Sequence, residues 1–90
     1  MTKLTGEQIA AEGLTGWVRL ANGLRTRIHS GDFAAGLALV NAIGRAAEEM
    51  NHHPDLEISW NKVTVTISTH SEGGLTENDF ELASRIDGLA

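Results

Sequence analysis

Apolar positions recur at steps of three and four from Phe33 through Leu37, Val40, Ile43 and Ala47 to Met50, the spacing that lays one stripe along an α-helix. Asp32 stands before them as an N-cap, and Pro54 disfavours helical backbone at His53, so a long central helix is predicted from Asp32 to about Asn51. Elsewhere the period is two. Leu56, Ile58 and Trp60 alternate with Glu57 and Ser59, and Val63, Val65 and Ile67 alternate with Thr64, Thr66 and Ser68, which predicts two half-buried strands. A two-residue turn at Asn61-Lys62 would pair Trp60 with Val63, Ile58 with Val65 and Leu56 with Ile67, all facing the core. Residues 17–21 and 24–28 flank Asn22-Gly23, a pair that tolerates the positive φ angles of a tight hairpin. That turn pairs Ala21 with Leu24, Arg19 with Thr26 and Trp17 with Ile28, and leaves Arg25 and Arg27 on the opposite face.

Thr5-Gly6-Glu7-Gln8 and Thr76-Glu77-Asn78-Asp79 both fit capping boxes. The first predicts a short helix ending near Gly13, and the second, followed by Phe80, Ala83 and Ile86, predicts a closing helix. The order helix-strand-strand-helix-strand-strand-helix reads as an α+β fold. It is a four-stranded antiparallel sheet with three helices packed on one face, a single domain over residues 1–90.

Ninety residues bury a limited core, and the chain has no cysteine to staple it, so self-association is the expected source of extra stability. The central helix fits that expectation: Ala34, Ala35, Gly36, Ala38, Ala42, Gly44 and Ala46 make much of its surface small. Its two glycines cost about 1 kcal/mol each against alanine, which close approach of another backbone would offset. Either this chain's own sheet or the same helix of a second copy could supply it. Seven basic residues against twelve acidic ones, with no basic cluster, argue against nucleic-acid binding. The longest apolar stretch, residues 33–40, is interrupted by Gly36 and falls short of the ~20 residues that span a bilayer. With no secretory signal and no cysteine, a cytoplasmic location is expected.

The candidate chemistry is imidazole. Extending the second hairpin backward places His53 opposite His70 with His52 one residue away, gathering three histidines near the end of the central helix. Glu48 lies one helical turn before His52, where a carboxylate could orient the ring. Neighbouring imidazoles tend to divide into one acid and one base, an arrangement suited to taking a proton from a substrate and delivering one to a leaving hydroxyl. The plainer readings are that His52 and His53 cap the helix, that Glu48 beside Glu49 is a solvated face, and that Asp79 serves only the start of its helix. Trp17 and Trp60 read first as core, and His29 as a polar residue near a strand end. A three-histidine zinc site is the competing chemistry, but two adjacent ring ligands fit no standard spacing. Nucleophilic catalysis has neither a cysteine nor a Gly-x-Ser-x-Gly turn to support it.

Glu48-x-x-x-His52-His53-Pro54, then Trp60, His70 and Asp79, is seven typed positions over 32 residues, and it resembles the signature of the pterin-4a-carbinolamine dehydratases. The likeness extends to Leu4-Thr5, Gly16-Trp17, Asp32-Phe33 and Gly74-Leu75-Thr76, and departs at Ile28 and Ser30 around His29, where aromatic residues are common in the family. It implies an antiparallel sheet with helices on one side, and homodimers or homotetramers formed through sheet edges and the central helix. It also implies dehydration of a 4a-hydroxytetrahydropterin to a quinonoid dihydropterin, with no metal and no cofactor. Such a step would help recycle the cofactor of an aromatic amino acid hydroxylase. On the matching positions, the resemblance makes His52 and His70 the acid/base pair and His53 a substrate-binding residue, with Trp60 as the signature's aromatic beside the substrate. Glu48 and Asp79 become carboxylates that orient the rings. The alternative is a non-catalytic oligomeric interaction module on the same fold. Light scattering at micromolar concentration is expected to report a mass above that of one chain; a strict monomer would contradict the self-association expected from size and from the small-residue helix.

Overall fold

The computed structural model describes residues 3–6, 8 and 16–90, with His70 described by its backbone alone. Strands β1 (Val18–Leu20), β2 (Gly23–His29), β3 (Asp55–Ser59) and β4 (Lys62–Ile67) form one antiparallel sheet in the order β1-β2-β4-β3. Helices α1 (Phe33–Met50) and α2 (Glu77–Leu89) cover one face of it, and a short 3-10 turn, His70–Glu72, lies between β4 and α2. The three-helix expectation is therefore corrected: the fold is α+β, but the described residues hold two α-helices. The capping box expected at the N-terminus does form, with Thr5 N donating to Gln8 Oε1 at 2.9 Å and Gln8 N donating to Thr5 Oγ1 at 3.2 Å. The helix predicted to follow it lies for the most part outside the described residues.

Strand parity decides which side chains are buried. Val63, Val65 and Ile67 on β4 and Leu24 on β2 face the helices, where they meet Ile43, Ala46 and Ala47 of α1 and Phe80, Leu82, Ala83 and Ile86 of α2. Six of these aliphatic side chains, Ile43, Val63, Val65, Ile67, Leu82 and Ile86, are fully buried. Each contributes roughly 1.5–3 kcal/mol relative to exposure. The opposite face of the sheet is open and polar, and there Arg25 Nε donates to Thr66 Oγ1 at 3.2 Å and Arg27 Nε to Thr64 Oγ1 at 3.4 Å across the β2–β4 pair.

Both hairpin turns sit one residue earlier than predicted. Leu20 pairs with Gly23, so the first turn is Ala21-Asn22, and Ser59 pairs with Lys62, so the second is Trp60-Asn61. Every predicted partner therefore shifts by two: Leu56 faces Val65 and Ile58 faces Val63. A shift of two leaves each side chain on its predicted face, which is why the core survives the error. The physical causes differ between the hairpins. Neither Asn22 nor Gly23 has a positive φ; glycine is needed at 23 because a Cβ there would come within 2.7 Å of the Ile67 carbonyl oxygen on β4. At the second turn the Asn61 carbonyl accepts from Ser30 N at 2.9 Å, which locks the turn to the loop that enters α1. One consequence is that Trp60 is on the turn and 70% exposed rather than in the core. Another is that the ladder ends at Asp55 and Thr66, and its extension puts His53 beside Ser68 and not opposite His70.

Helix α1 begins and ends where predicted. Asp32 accepts from Ala35 N at 2.7 Å, and Asn51 closes the helix in the left-handed conformation at φ 51°. Asn51 N then donates to Glu48 O at 3.2 Å and His52 N to Ala47 O at 3.0 Å, a Schellman-type reversal that aims the chain back toward the sheet. Its two glycines have different surroundings. A Cβ on Gly36 would lie 3.0 Å from Ser30 Oγ and 3.3 Å from Ile58 Cδ1, so that glycine is explained by this chain's own loop and β3, whereas a Cβ on Gly44 would meet nothing within 4 Å. Gly23→Ala is expected to lower unfolding free energy by about 1–3 kcal/mol through overpacking. In a monomer, Gly44→Ala should raise it by up to ~1 kcal/mol through helix propensity. Urea unfolding of both variants checks the pair, and a stabilised Gly23→Ala would contradict the close β2–β4 approach.

Candidate active site

Three element ends meet at one edge of the core: the C-terminus of α1, the segment following β4, and the first turn of α2. The Schellman-type reversal delivers His52 from the first, Thr69 follows β4, and the capping box Thr76/Asp79 starts α2. Asp79 is completely buried, and it uses both carboxylate oxygens. Oδ2 accepts from Thr76 N at 2.7 Å and from the Thr69 hydroxyl at 2.8 Å, while Oδ1 lies 2.7 Å from His52 Nε2. Asp79 thus serves the helix start, as the plain sequence reading has it, and holds an imidazole as well. The position is electrostatically apt, because a carboxylate in the first turn of α2 faces the positive end of that helix's dipole.

The His52 ring is largely enclosed, with 11% of its side chain exposed. A neutral imidazole has one N–H and one bare nitrogen. With a carboxylate oxygen against Nε2, the proton belongs on Nε2, and Nδ1 is left as the acceptor. His53, the next residue, takes the other carboxylate: its Nε2 pairs with Glu48 on α1. Both partners are well exposed, so solvent screens that pair heavily. Glu48, expected one turn before His52 as its partner, therefore pairs with His53, and the orienting carboxylate of His52 comes from α2 instead.

His70 opens the 3-10 turn directly after Thr69; its side chain is outside the described residues, so the predicted convergence of three rings is too. Trp60 stands at the far end of β3 from His52 and His53. At ~3.3 Å per residue the five-residue strand alone separates them by about 15 Å. His29 ends β2 opposite Lys62, at that same far end. A cavity of about 270 Å³ lined by Asn22, Ser68, Thr69, Gly73 and Gly74 lies beside the buried network, and a wider, shallower groove runs along Asn41, Gly44, Arg45, Glu48 and Glu49 of α1.

Sequence reasoning missed Thr69. Its hydroxyl also lies 2.8 Å from that of Thr76, completing a buried polar cluster of Thr69, Thr76, Asp79 and His52. The signal was in its parity: Thr69 falls on the odd positions of Val63, Val65 and Ile67, so a hydroxyl stands where the alternation places a buried apolar residue. Asp79→Ala leaves the buried donors of His52, Thr69 and Thr76 without their acceptor, and is expected to cost about 2–4 kcal/mol. Glu48→Ala, at the exposed pair, should change stability by no more than ~0.5 kcal/mol. Denaturant unfolding of the two variants measures the contrast, and equal effects would contradict the difference in burial.

A family model described as Pterin 4 alpha carbinolamine dehydratase matches residues 2–89. A relative from Nocardia farcinica, described as "Putative pterin-4-alpha-carbinolamine dehydratase", is 45% identical over 89 residues, covering 97% of this chain and 94% of its own. One of the same description from Mycobacterium tuberculosis is 44% identical over 91 residues, covering 99% and 97%. Among solved structures, the crystal structure of a transcriptional coactivator/pterin dehydratase from Brucella melitensis superposes with a TM-score of 0.93 at 28% identity, over 99% of both chains. A pterin dehydratase-like protein identified as a RuBisCO assembly factor in the alpha-carboxysome matches with a TM-score of 0.70 over 88% of this chain and 93% of its own; at 23% identity it shows the fold alone. By sequence over nearly its whole length and by fold, the chain belongs to the pterin-4a-carbinolamine dehydratase family.

Proposed function

We propose that the protein is a hydro-lyase that removes water from a 4a-hydroxytetrahydropterin to give the quinonoid dihydropterin, acting in the cytoplasm as a homodimer or homotetramer in recycling of a tetrahydropterin cofactor. The observation that carries this reading is the buried Asp79–His52 couple at 2.7 Å, with its Nδ1 left as an acceptor. Dehydration needs one proton taken from a ring N–H and one delivered to the departing 4a-hydroxyl, so that water leaves and a carbon–nitrogen double bond forms. In this reading His52 Nδ1 takes the N–H proton and Asp79 stabilises the imidazolium that results. His70, anchored next to Thr69, delivers the other proton. His53, held by Glu48 near the surface, binds the substrate. Trp60 would meet the pterin only if the assembly brings it near, since on one chain it lies at the far end of β3.

A second reading is favoured by a specific surface. Phe33 and Leu37 on α1, with Ile58 on β3 and Trp60 just after it, are all exposed. Ile58 packs against α1 at Gly36, between the two helix residues. An apolar patch of this kind suits an interaction module, and the Brucella melitensis likeness carries a coactivator description beside the dehydratase one. Direct assay separates the two readings. Folded protein added to a 4a-hydroxytetrahydropterin is expected to accelerate dehydration well beyond buffer, and His52→Ala to lower the turnover number by about 10²–10⁴-fold. No acceleration by folded wild type would reject the enzyme in favour of the module.

A further inference from the structure

Thr69 is almost fully buried just beyond β4, where it forms an isolated bridge with Gly74. Its hydroxyl has one proton and two neighbours, Asp79 Oδ2 and Thr76 Oγ1, each at 2.8 Å. A carboxylate oxygen only accepts, and Asp79 Oδ2 lies 2.8 Å from Thr69 Oγ1 but 3.4 Å from Thr76 Oγ1, so the shorter bond takes the Thr69 proton and the Thr76 hydroxyl donates to Thr69. The polarity of the whole cluster follows: Thr76 donates to Thr69, Thr69 to Asp79 Oδ2, and His52 Nε2–H to Asp79 Oδ1. The reverse arrangement, Thr76 donating to Asp79 Oδ2 and Thr69 to Thr76, would rest on the longer 3.4 Å contact in place of the 2.8 Å one.

The donors to Asp79 come from different parts of the fold. Thr76 belongs to the N-cap of the same helix and supplies one short bond to Oδ2 from its N–H at 2.7 Å, with its hydroxyl farther off at 3.4 Å. Thr69 approaches from the sheet side, and a second donor on Oδ2 sets the plane of the group and hence where Oδ1 points. Thr69 is also peptide-bonded to His70, so the backbone that carries the second candidate imidazole is tied to the carboxylate that holds the first.

We propose that Thr69 is a positioning residue: through Asp79 its hydroxyl holds the His52 ring in one orientation with the proton on Nε2 and Nδ1 presented as the acceptor. The kinetic consequence rests on the dehydratase reading, while the ring geometry does not. A purely structural threonine would stabilise the start of α2 and leave the His52 ring proton unaffected.

The full-length chain labelled with ¹⁵N tests this by long-range ¹H–¹⁵N correlation of the imidazoles at mildly alkaline pH, with the His52 ring signals assigned from their loss in His52→Gln. Wild type and Thr69→Ser are expected to show the Nε2–H tautomer with a ring proton slow to exchange with water. Thr69→Val, equal in shape but without the hydroxyl, should show tautomer averaging and loss of that proton to exchange. Its turnover number should fall by about 10–100-fold with KM little changed, the size expected when a reacting group is misplaced. A Thr69→Val protein with the wild-type ring signal overturns the inference, as does a wild-type ring protonated on Nδ1. Should Thr69→Val fail to fold, Thr69→Ala, which also lacks the hydroxyl, decides by the same signal: tautomer averaging and loss of the ring proton support the inference, and the wild-type ring signal overturns it. If the ring signals behave as expected but no variant dehydrates a 4a-hydroxytetrahydropterin, the positioning role stands and the proposed reaction is what fails.

Discussion

A carboxylate sealed from water has to find a donor for each oxygen, and in this protein Asp79 finds them on three separate pieces of chain. Its own helix start supplies a backbone N–H, the segment leaving β4 supplies the Thr69 hydroxyl, and the reversal after α1 supplies the His52 ring. An unpaired charge in that position would cost several kcal/mol, so the three pieces are held to one geometry by the need to satisfy it. The site is in this sense part of the core: α2 cannot start correctly, nor β4 end correctly, without also placing His52.

The same arrangement separates two histidines that are adjacent in sequence. His52 turns inward to a buried carboxylate and His53 outward to an exposed one, Glu48. Burial makes the difference in consequence, because the inner pair acts in a low-dielectric surround while solvent screens the outer one. One imidazole is thereby enclosed against a carboxylate and the other keeps the freedom of a surface group, a difference that the proposed reaction would use.

Much of the fold was legible because burial follows periodicity. The step of three and four in α1, the step of two in β3 and β4, and the caps at Asp32 and Thr76 each depend on neighbours within a few residues. Both hairpin turns were displaced by one residue because their placement depends on distant atoms. Gly23 is required by the Ile67 carbonyl and not by its own φ, and Asn61 is held by the loop before α1. Trp60 read as core because alternation alone does not tell the last residue of a strand from the first of a turn.

What the sequence determined by itself was therefore the set of elements, the face each side chain takes, and the residue types available for acid/base chemistry, since all three depend on local spacing. Which carboxylate meets which imidazole was decided only by the tertiary structure. Glu48 is four residues from His52 and Asp79 is twenty-seven, yet Asp79 makes the bond. Separation along the chain sets what is possible within one helix, whereas the reversal at Asn51 and the docking of α2 against the sheet bring the distant carboxylate closer than the near one. Alternation along β4 puts Thr69 on the buried face, but that its hydroxyl meets Asp79, ten residues on and at the start of α2, was decided by the tertiary structure.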